Sequence, residues 1–345
     1  MKNKVVVAAL GLILSSAVLP AYAQNAWEVV KTFQIGGAGG WDYFTLDSAT
    51  HRLFVTRSTH TMVIDSESGK TIADIPGQKG SHGVAIVPSA GRGFISDGGG
   101  NGAVVIFDLK TYAVLGSIVT EPDTDGIIFD PTSGLVLTVS GDGGTLMTLK
   151  PDIDPNSGKI DAPIALGGKP EFLASDGAGK VYINLVDKNE VAVVDIKSRK
   201  VVARWSVAPG GAPVGMTIDT KKKRLFIGCR KPQKLIVMST EDGKVLADLP
   251  IGAGVDATKL DDGEAFASCR DGTLAVASET SSGKFEVVQT VKTGPGAGTM
   301  GVDQATHKIY LPTADFEEVK PGATGRPKMI PGTFKIIVVA RHGSP

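Results

Sequence analysis

The chain has 345 residues, with 36 Lys and Arg against 36 Asp and Glu, and 44 of its residues are Gly. Glycine at about twice its usual ~7% share favours many tight turns and few long helices. The apolar residues, dominated by Val, Ile, Ala and Leu, exclude a disordered chain. The balanced charge argues against a strongly basic nucleic-acid-binding surface, because phosphate binding uses clustered Lys and Arg.

The N-terminus predicts export. Lys2 and Lys4 form a short basic region, residues 5–19 are an unbroken run of apolar or small residues, and an Ala-x-Ala site ends at Ala23. This order is typical of a secretory signal peptide. We therefore predict a signal peptide over residues 1–23 and a periplasmic or secreted mature protein. No later apolar run reaches spanning length, so we expect no membrane span.

A repeat runs through the rest of the chain. Each copy contains four short segments of β-forming residues separated by turns rich in Gly, Asp, Asn and Ser, which is the pattern of strands and hairpins. Four strands in a repeat of this length are typical of a β-propeller blade. The residues at which the first strand of each copy enters its turn, spaced 41 to 46 positions apart, are Asp47, Pro88, Asp130, Asp176, Asp219, Asp261 and Asp303.

The two ends of the chain complement each other. Residues 27–35 resemble a fourth strand with no partners before it, and residues 333–340 resemble a third strand with no fourth strand after it. Joining them completes a last blade and removes the open sheet edges that a partial ring would leave. We predict an all-β, seven-bladed β-propeller with four antiparallel strands per blade, formed as a single domain over residues 24–345.

The second predicted strand of every repeat carries a related four-residue core, and the copies are Phe54-Val55-Thr56-Arg57, Phe94-Ile95-Ser96-Asp97, Leu137-Thr138-Val139-Ser140, Tyr182-Ile183-Asn184-Leu185, Phe226-Ile227-Gly228-Cys229, Phe266-Ala267-Ser268-Cys269 and Tyr310-Leu311-Pro312-Thr313. These cores resemble the Tyr-Val-Thr-Asn motif of the YVTN-repeat, YncE-like β-propellers, and the resemblance covers residues 27–341. It implies the propeller fold and no shared catalytic motif. Nucleic-acid binding occurs in some relatives, and redox and lactonase propellers are distant cousins. The final asparagine is absent from all seven copies.

By analogy with other propellers, sites lie where the links between blades emerge around the central channel. The predicted rim residues on these links are Trp41, Asp42, His82, Asp125, Glu171 and Asp256. Carboxylates that converge repel one another and favour a bound cation or a raised pKa. Asp125, Glu171 and Asp256 are the metal candidates, and oxygen ligands would select calcium or magnesium. Alternatively, the acids accept hydrogen bonds from backbone amides of the Gly-rich links.

The loops after the second strands open onto the same predicted face. Their candidate site residues are Arg57, His60, Asp97, Arg230 and Arg270. The three arginines suit an anionic ligand such as a carboxylate or phosphate, or else they pair with the rim acids and neutralise them. Only two histidines, His60 and His82, face this rim, which is a weak pattern for zinc or copper.

Two cysteines and one long loop complete the candidates. Cys229 and Cys269 end second strands of adjacent repeats, where the spacing between blades exceeds the ~7 Å between Cα atoms that a disulfide allows. We expect two free, buried thiols, with a disulfide or a soft-metal pair as the alternative. Residues 314–332 form an insertion in the last blade that should project over the rim, either as a lid or partner-binding loop or as a solvated insertion.

These features favour a binding or interaction protein that uses the loop face around its channel and has no catalysis of its own. The partner would be a small molecule or a periplasmic protein, and we expect a monomer. Two alternatives stay open. One is a metal-dependent, lactonase-like hydrolase whose rim carboxylates hold an ion that activates water. The other is a redox-associated propeller that serves a quinone-dependent or cytochrome partner. Nucleic-acid binding follows only from the family resemblance, and the charge disfavours it.

Overall fold

A computed structural model describes residues 26–318 and 327–343. In these residues the chain forms antiparallel β-strands and one turn of 3-10 helix, Pro88–Ala90. The predicted signal peptide, residues 1–23, lies outside the described residues, as do residues 319–326 of the long loop. No helix in the described ranges is long and apolar enough to cross a membrane.

The strands follow one another mostly in short antiparallel hairpins. Their bounds are β1 (Trp27–Gln34), β2 (Phe44–Asp47), β3 (Arg52–Thr56), β4 (Ser58–Asp65), β5 (Thr71–Val87), β6 (Arg92–Asp97), β7 (Ala103–Asp108), β8 (Val114–Val119), β9 (Thr124–Asp130), β10 (Leu135–Ser140), β11 (Thr145–Leu149), β12 (Ile164–Ala165), β13 (Pro170–Ser175), β14 (Lys180–Leu185), β15 (Glu190–Asp195), β16 (Lys200–Ser206), β17 (Pro213–Asp219), β18 (Arg224–Arg230), β19 (Gln233–Ser239), β20 (Val245–Pro250), β21 (Val255–Asp261), β22 (Glu264–Cys269), β23 (Thr273–Glu279), β24 (Phe285–Lys292), β25 (Gly301–Asp303), β26 (Lys308–Thr313) and β27 (Lys335–Arg341).

The strands assemble into blade-like sheets, which confirms the predicted all-β propeller class. Four-stranded sheets contain β9 to β12, β13 to β16, β17 to β20, β21 to β24, and β25, β26, β27 and β1, while β2 to β8 form one seven-stranded sheet. In that larger sheet, the first part of β5 pairs with β4 and its last part pairs with β6. A count of seven blades, which assigns each part of β5 to its own four-stranded unit, stays our interpretation.

The first strands of these units surround a common axis. They are β2, the last part of β5, β9, β13, β17, β21 and β25, and each contacts the next, with β25 contacting β2. Close approach at the axis depends on glycine in places. A Cβ atom on Gly215 of β17 would lie 2.8 Å from the backbone of Ala257 in β21, so only glycine allows this spacing. The ring of contacts supports the interpretation of seven blades.

The chain ends pair as predicted. β1 lies antiparallel to β27, with Trp27 opposite Arg341 and Gln34 opposite Lys335. Trp27 is only 3% exposed, and its ring packs edge-on against Phe266 of the neighbouring sheet at 5.0 Å between centroids. The first strand of the chain therefore completes the last sheet and also packs that sheet against the one before it.

The repeated turn residues cap the strands around the axis. Asp47 and Asp303 end β2 and β25, and each accepts a hydrogen bond from the backbone N–H two residues later, at 3.1 and 3.0 Å. The turns then pass through His51 and His307, whose φ angles are +56° and +55°. Both histidines thus occupy equivalent turn positions, and their recurrence reflects the repeat rather than a metal site.

The core lies between neighbouring sheets, where apolar side chains from adjacent units pack face to face. Cys229 and Cys269 belong to this core. Both are fully buried and free, and burial raises the pKa of each thiol to about 12. The prediction of two free, buried thiols is confirmed.

Candidate functional site at the channel mouth

Five of the predicted rim residues lie at corresponding ends of the strands around the axis. Asp42 directly precedes Tyr43 and β2, while the others lie within inner strands. These are His82 in β5, Asp125 in β9, Glu171 in β13 and Asp256 in β21. Together with Arg230 and Arg270, these five residues form the channel mouth. The repeat frame therefore placed the acids and the histidine at one end of the ring.

His82 lies between two of the acids. Its Nδ1 atom donates a hydrogen bond to Oδ2 of Asp42 at 2.7 Å, and the same nitrogen is 3.5 Å from Oδ1 of Asp125. Burial lowers the pKa of the imidazole, but the bond to Asp42 and the charges of both acids outweigh it and raise the pKa to about 9. His82 is therefore a cation at neutral pH. One ligand atom from each of the three residues lies within 4.8 Å of the others.

Asp125 has unfilled hydrogen-bonding capacity at the mouth. Its Oδ1 atom is buried and accepts no hydrogen bond from the described residues, while the side chain as a whole stays 14% exposed. Burial raises its pKa well above the ordinary value, and the charge of Asp42 raises it further against the opposing effect of His82. A ligand that donates a hydrogen bond, or a cation, would complement this carboxylate.

The opposite side of the mouth is an ion-pair network. The carboxylate of Asp256 accepts hydrogen bonds from Nη2 of Arg230 and from Nη2 of Arg270, one at each oxygen. Its side chain is 5% exposed. Nη2 of Arg230 is also 3.7 Å from Oε1 of Glu171, whose pKa is raised by burial. Two guanidinium groups therefore neutralise two carboxylates here.

Arg57 does not belong to the mouth, which corrects its prediction as a rim ligand. The residue is 0% exposed, and its guanidinium donates hydrogen bonds to the carbonyls of Ala38, Gly39 and Gly40 at 2.8 to 3.0 Å. It also lies 3.7 Å from the ring centroid of Phe334. Burial lowers its pKa to about 10. Because carbonyls take up these donors, Arg57 holds the Gly-rich link in place.

The contacts of His60 and Asp97 lie outside the channel mouth. Nε2 of His60 lies 3.8 Å from Asp74 on the outer part of β5, and His60 is not in the group formed by Asp42, His82 and Asp125 among the described residues. Asp97 is 3% exposed and accepts hydrogen bonds from the backbone of Lys79, Gly80 and Gly99. Its carboxylate fixes a turn.

Trp41 lies beside the mouth and against the ends of the long loop. Its ring is 5.3 Å from that of Phe334 and 6.2 Å from that of Phe316. In the described ends of the loop, Phe316 forms a β-bridge with Met329. Trp41, Arg270 and Met329 line one shallow cavity of about 320 Å³. The described ends of the loop therefore lie close to the mouth.

Sequence reasoning missed three residues that line the channel below the mouth. Tyr43 and Phe172 pack ring against ring at 4.8 Å between centroids, and Lys259 projects from β21 into the same space. Lys259 was detectable as the one basic residue of its inner strand β21. The two aromatic residues follow Asp42 and Glu171 directly in sequence, so alternation along a strand predicts a different side for them.

No protein-family model and no curated protein matches the sequence. Among solved structures, the fold is similar to that of the Kuenenia stuttgartiensis hydrazine synthase. The match has a TM-score of 0.66 and 13% sequence identity, and it covers 87% of this chain and 96% of that one. At this identity the likeness shows the fold alone.

Proposed function

We propose that the protein is an exported binding propeller of the YVTN-repeat type that takes a small polar ligand at the channel mouth and performs no chemistry on it. The observation that carries this proposal is the internal pairing of the mouth. Asp42 and Asp125 face the protonated His82, Glu171 faces Arg230, and both arginines hold Asp256, in the contacts described above. A mouth that neutralises its own acids needs no metal to assemble.

The ligand that fits best donates a hydrogen bond to Asp125. Its Oδ1 atom is buried, accepts no hydrogen bond from the described residues and has only the 3.5 Å ion-pair contact with His82. A hydroxyl or amine group on the ligand would donate to the part of this carboxylate that stays exposed at the mouth, 14% of the side chain, and a hydrogen bond to a charged group is among the stronger ones. Glu171 and Arg230, 3.7 Å apart, offer an acceptor and donors on the other side. A sugar, a lactone or an amine combines these features in a small molecule.

A second candidate, a metal-dependent hydrolase, rests on one specific observation. Asp42, His82 and Asp125 each offer a ligand atom within 4.8 Å of the others. Two carboxylates and one imidazole in that space could hold calcium or magnesium, and a bound ion would activate water. The ion must displace the proton of His82, whose pKa is about 9, so its affinity should increase as the pH rises toward that value.

Two measurements separate these functions. A thermal-shift series with glucose, gluconolactone, putrescine and AMP tests the binding proposal, because a ligand that binds only the folded state raises its apparent stability. Calorimetry with calcium on chelator-stripped protein tests the metal. We expect at least one organic probe to bind, and Asp125→Asn to weaken the binding of that probe about tenfold. Calcium at millimolar concentration should produce no heat of binding. The control variant is Asp142→Asn, because Asp142 is an acid outside the channel mouth whose side chain is 67% exposed.

Calcium binding that Asp125→Asn abolishes and Asp142→Asn retains would overturn the binding proposal in favour of the metal centre. An organic probe that binds both variants equally would place its site away from the mouth, which also contradicts the proposal. The second candidate has a direct assay. Hydrolysis of glucono-1,5-lactone gives gluconate and a proton, and titration of that proton measures the rate.

A further inference from the structure

The central channel contains a cavity that the mouth residues do not explain. Its volume is about 520 Å³, which is within the size range of pockets for small organic ligands. Its lining comes from all of the innermost strands, β2, β5, β9, β13, β17, β21 and β25. Most of this lining is apolar, and includes Phe44, Ile127, Phe129 and Met300. The cavity is therefore an apolar space on the axis of the propeller.

Lys259 is the one basic residue among the described residues that line this cavity. Its ammonium makes no ion pair or hydrogen bond with any residue in the described ranges and lies 5.7 Å from the centroid of the Phe172 ring. Such a cation–π contact offsets only part of the lost hydration. Burial lowers the pKa of Lys259. The single carboxylate on the lining, Asp256, is already held by Arg230 and Arg270.

Lys259 is half-buried, and an ammonium that loses part of its hydration without a counter-ion is unfavourable, so proteins ordinarily pair such a charge. The residues that the structure describes provide no free anion for Lys259. The surrounding wall is apolar and aromatic, so an anion that enters must carry an apolar body to gain from burial. For an inorganic anion, the cost of losing its hydration would exceed the stabilisation gained from contact with the apolar wall.

We propose that the channel cavity binds a small organic carboxylate. The carboxylate pairs with Nζ of Lys259, and the apolar body packs against Phe172 and the inner strands. The flexible lysine stem lets the ammonium follow ligands of different length. This site lies below the mouth and takes a ligand of opposite polarity to the one that Asp125 would accept.

Tyr43 and Phe172 lie at the boundary between the two sites. Both rings line the cavity, while burial and the charges of Asp125 and Glu171 together raise the pKa of the Tyr43 phenol well above its ordinary value. The phenol therefore stays neutral at physiological pH beside the acids of the mouth. Because different residues carry the two sites, failure of one proposal leaves the other testable.

Benzoate and octanoate are the probes for the cavity, and benzamide and octanol are their uncharged controls. Calorimetry and thermal shift on the mature wild-type protein should show binding of at least one carboxylate and at least tenfold weaker binding of its uncharged control. Lys259→Met, which removes the charge and keeps most of the apolar stem, should weaken the binding of the carboxylate about tenfold or more. Lys110→Met, at an exposed turn residue, is the matched control and should leave the affinity unchanged.

A second measurement uses the wild-type chain alone, in case Lys259→Met folds poorly. Acetic anhydride modifies unprotonated amines, and mass spectrometry reports the extent at each lysine. We expect benzoate or octanoate at saturating concentration to slow acetylation of Lys259 at least threefold and to leave Lys110 unaffected. Equal affinity of the carboxylate and its uncharged control, unchanged binding by Lys259→Met, or no binding and no protection at millimolar carboxylate would each overturn the proposal.

Discussion

Nδ1 of His82 lies 2.7 Å from Oδ2 of Asp42, across the link between two neighbouring blades. The pair joins residues 40 positions apart in the chain, so it ties one repeat to the next at the channel mouth. Its side chains are 29% and 25% exposed, which leaves the imidazole reachable from the mouth. The protonation of His82 therefore affects both the stability of the propeller and the charge of the channel mouth.

The first prediction concerns pH. The folded pKa of His82, about 9, lies above the ordinary value of 6.5. Because protonated His82 is favoured in the folded state, its full contribution to stability is present below pH 6.5 and is lost as the pH rises through about 9. Urea denaturation should show wild type losing on the order of 2 kcal/mol of stability over this range relative to His82→Gln. The prediction fails if the two proteins lose stability in parallel.

The second prediction concerns the opposite side of the mouth. Asp256→Asn removes the charge that Arg230 and Arg270 share and leaves two guanidinium groups facing a neutral amide. We expect a loss of about 3 kcal/mol in unfolding free energy, because a buried pair is broken on one side only. In a double-mutant cycle, the Asp256→Asn, Arg270→Gln double mutant should lose less unfolding free energy than the sum of the two single mutants. Additive effects of the two changes would show that the two side chains do not interact.

The third prediction separates Arg57 from the mouth. Arg57→Met leaves the carbonyls of Ala38, Gly39 and Gly40 without their donor and should destabilise the fold by about 3 kcal/mol. Binding of any probe at the mouth should stay within twofold of wild type in the folded protein. Arg57→Lys keeps the charge but not the planar fork, and should lose about half as much stability. A large loss of binding with little loss of stability would restore Arg57 to the site.

The repeat explains why the acids were predictable and Arg57 was not. Asp125, Glu171 and Asp256 lie on inner strands, and Asp42 lies just before one, so the nearly constant spacing of the repeat aligns these acids at one end of the ring. The three arginines do not share one position. Arg57 follows Phe54 by three residues, whereas Arg230 follows Phe226 by four. Because side chains alternate along a strand, this offset directs them to different sides.

The site features that the sequence did not predict depend on contacts between residues far apart in the chain. Arg57 is held by Phe334, far along the chain in the last blade, and no local pattern links the two residues. The pairing of His82 with Asp42 likewise depends on how closely two blades approach. Lys259, by contrast, had a local signal, since a lysine within an inner strand must face either the core or the channel.

The last prediction tests ring closure. Trp27 of β1 is 3% exposed, packs against Phe266, and donates its indole N–H to Oε2 of Glu264 at 2.9 Å. Trp27→Ala removes both contacts where the first strand completes the last sheet, and should lower the unfolding free energy by about 3 kcal/mol. Trp27→Phe keeps much of the packing and loses the hydrogen bond, so about 1 kcal/mol is expected. Val29→Ala, at a 42% exposed position of the same strand, should stay within about 0.5 kcal/mol of wild type in urea denaturation. If Trp27→Ala were no worse than Val29→Ala, the first strand would contribute little to the closed ring, and the stability of the propeller would have to come from the other sheets alone.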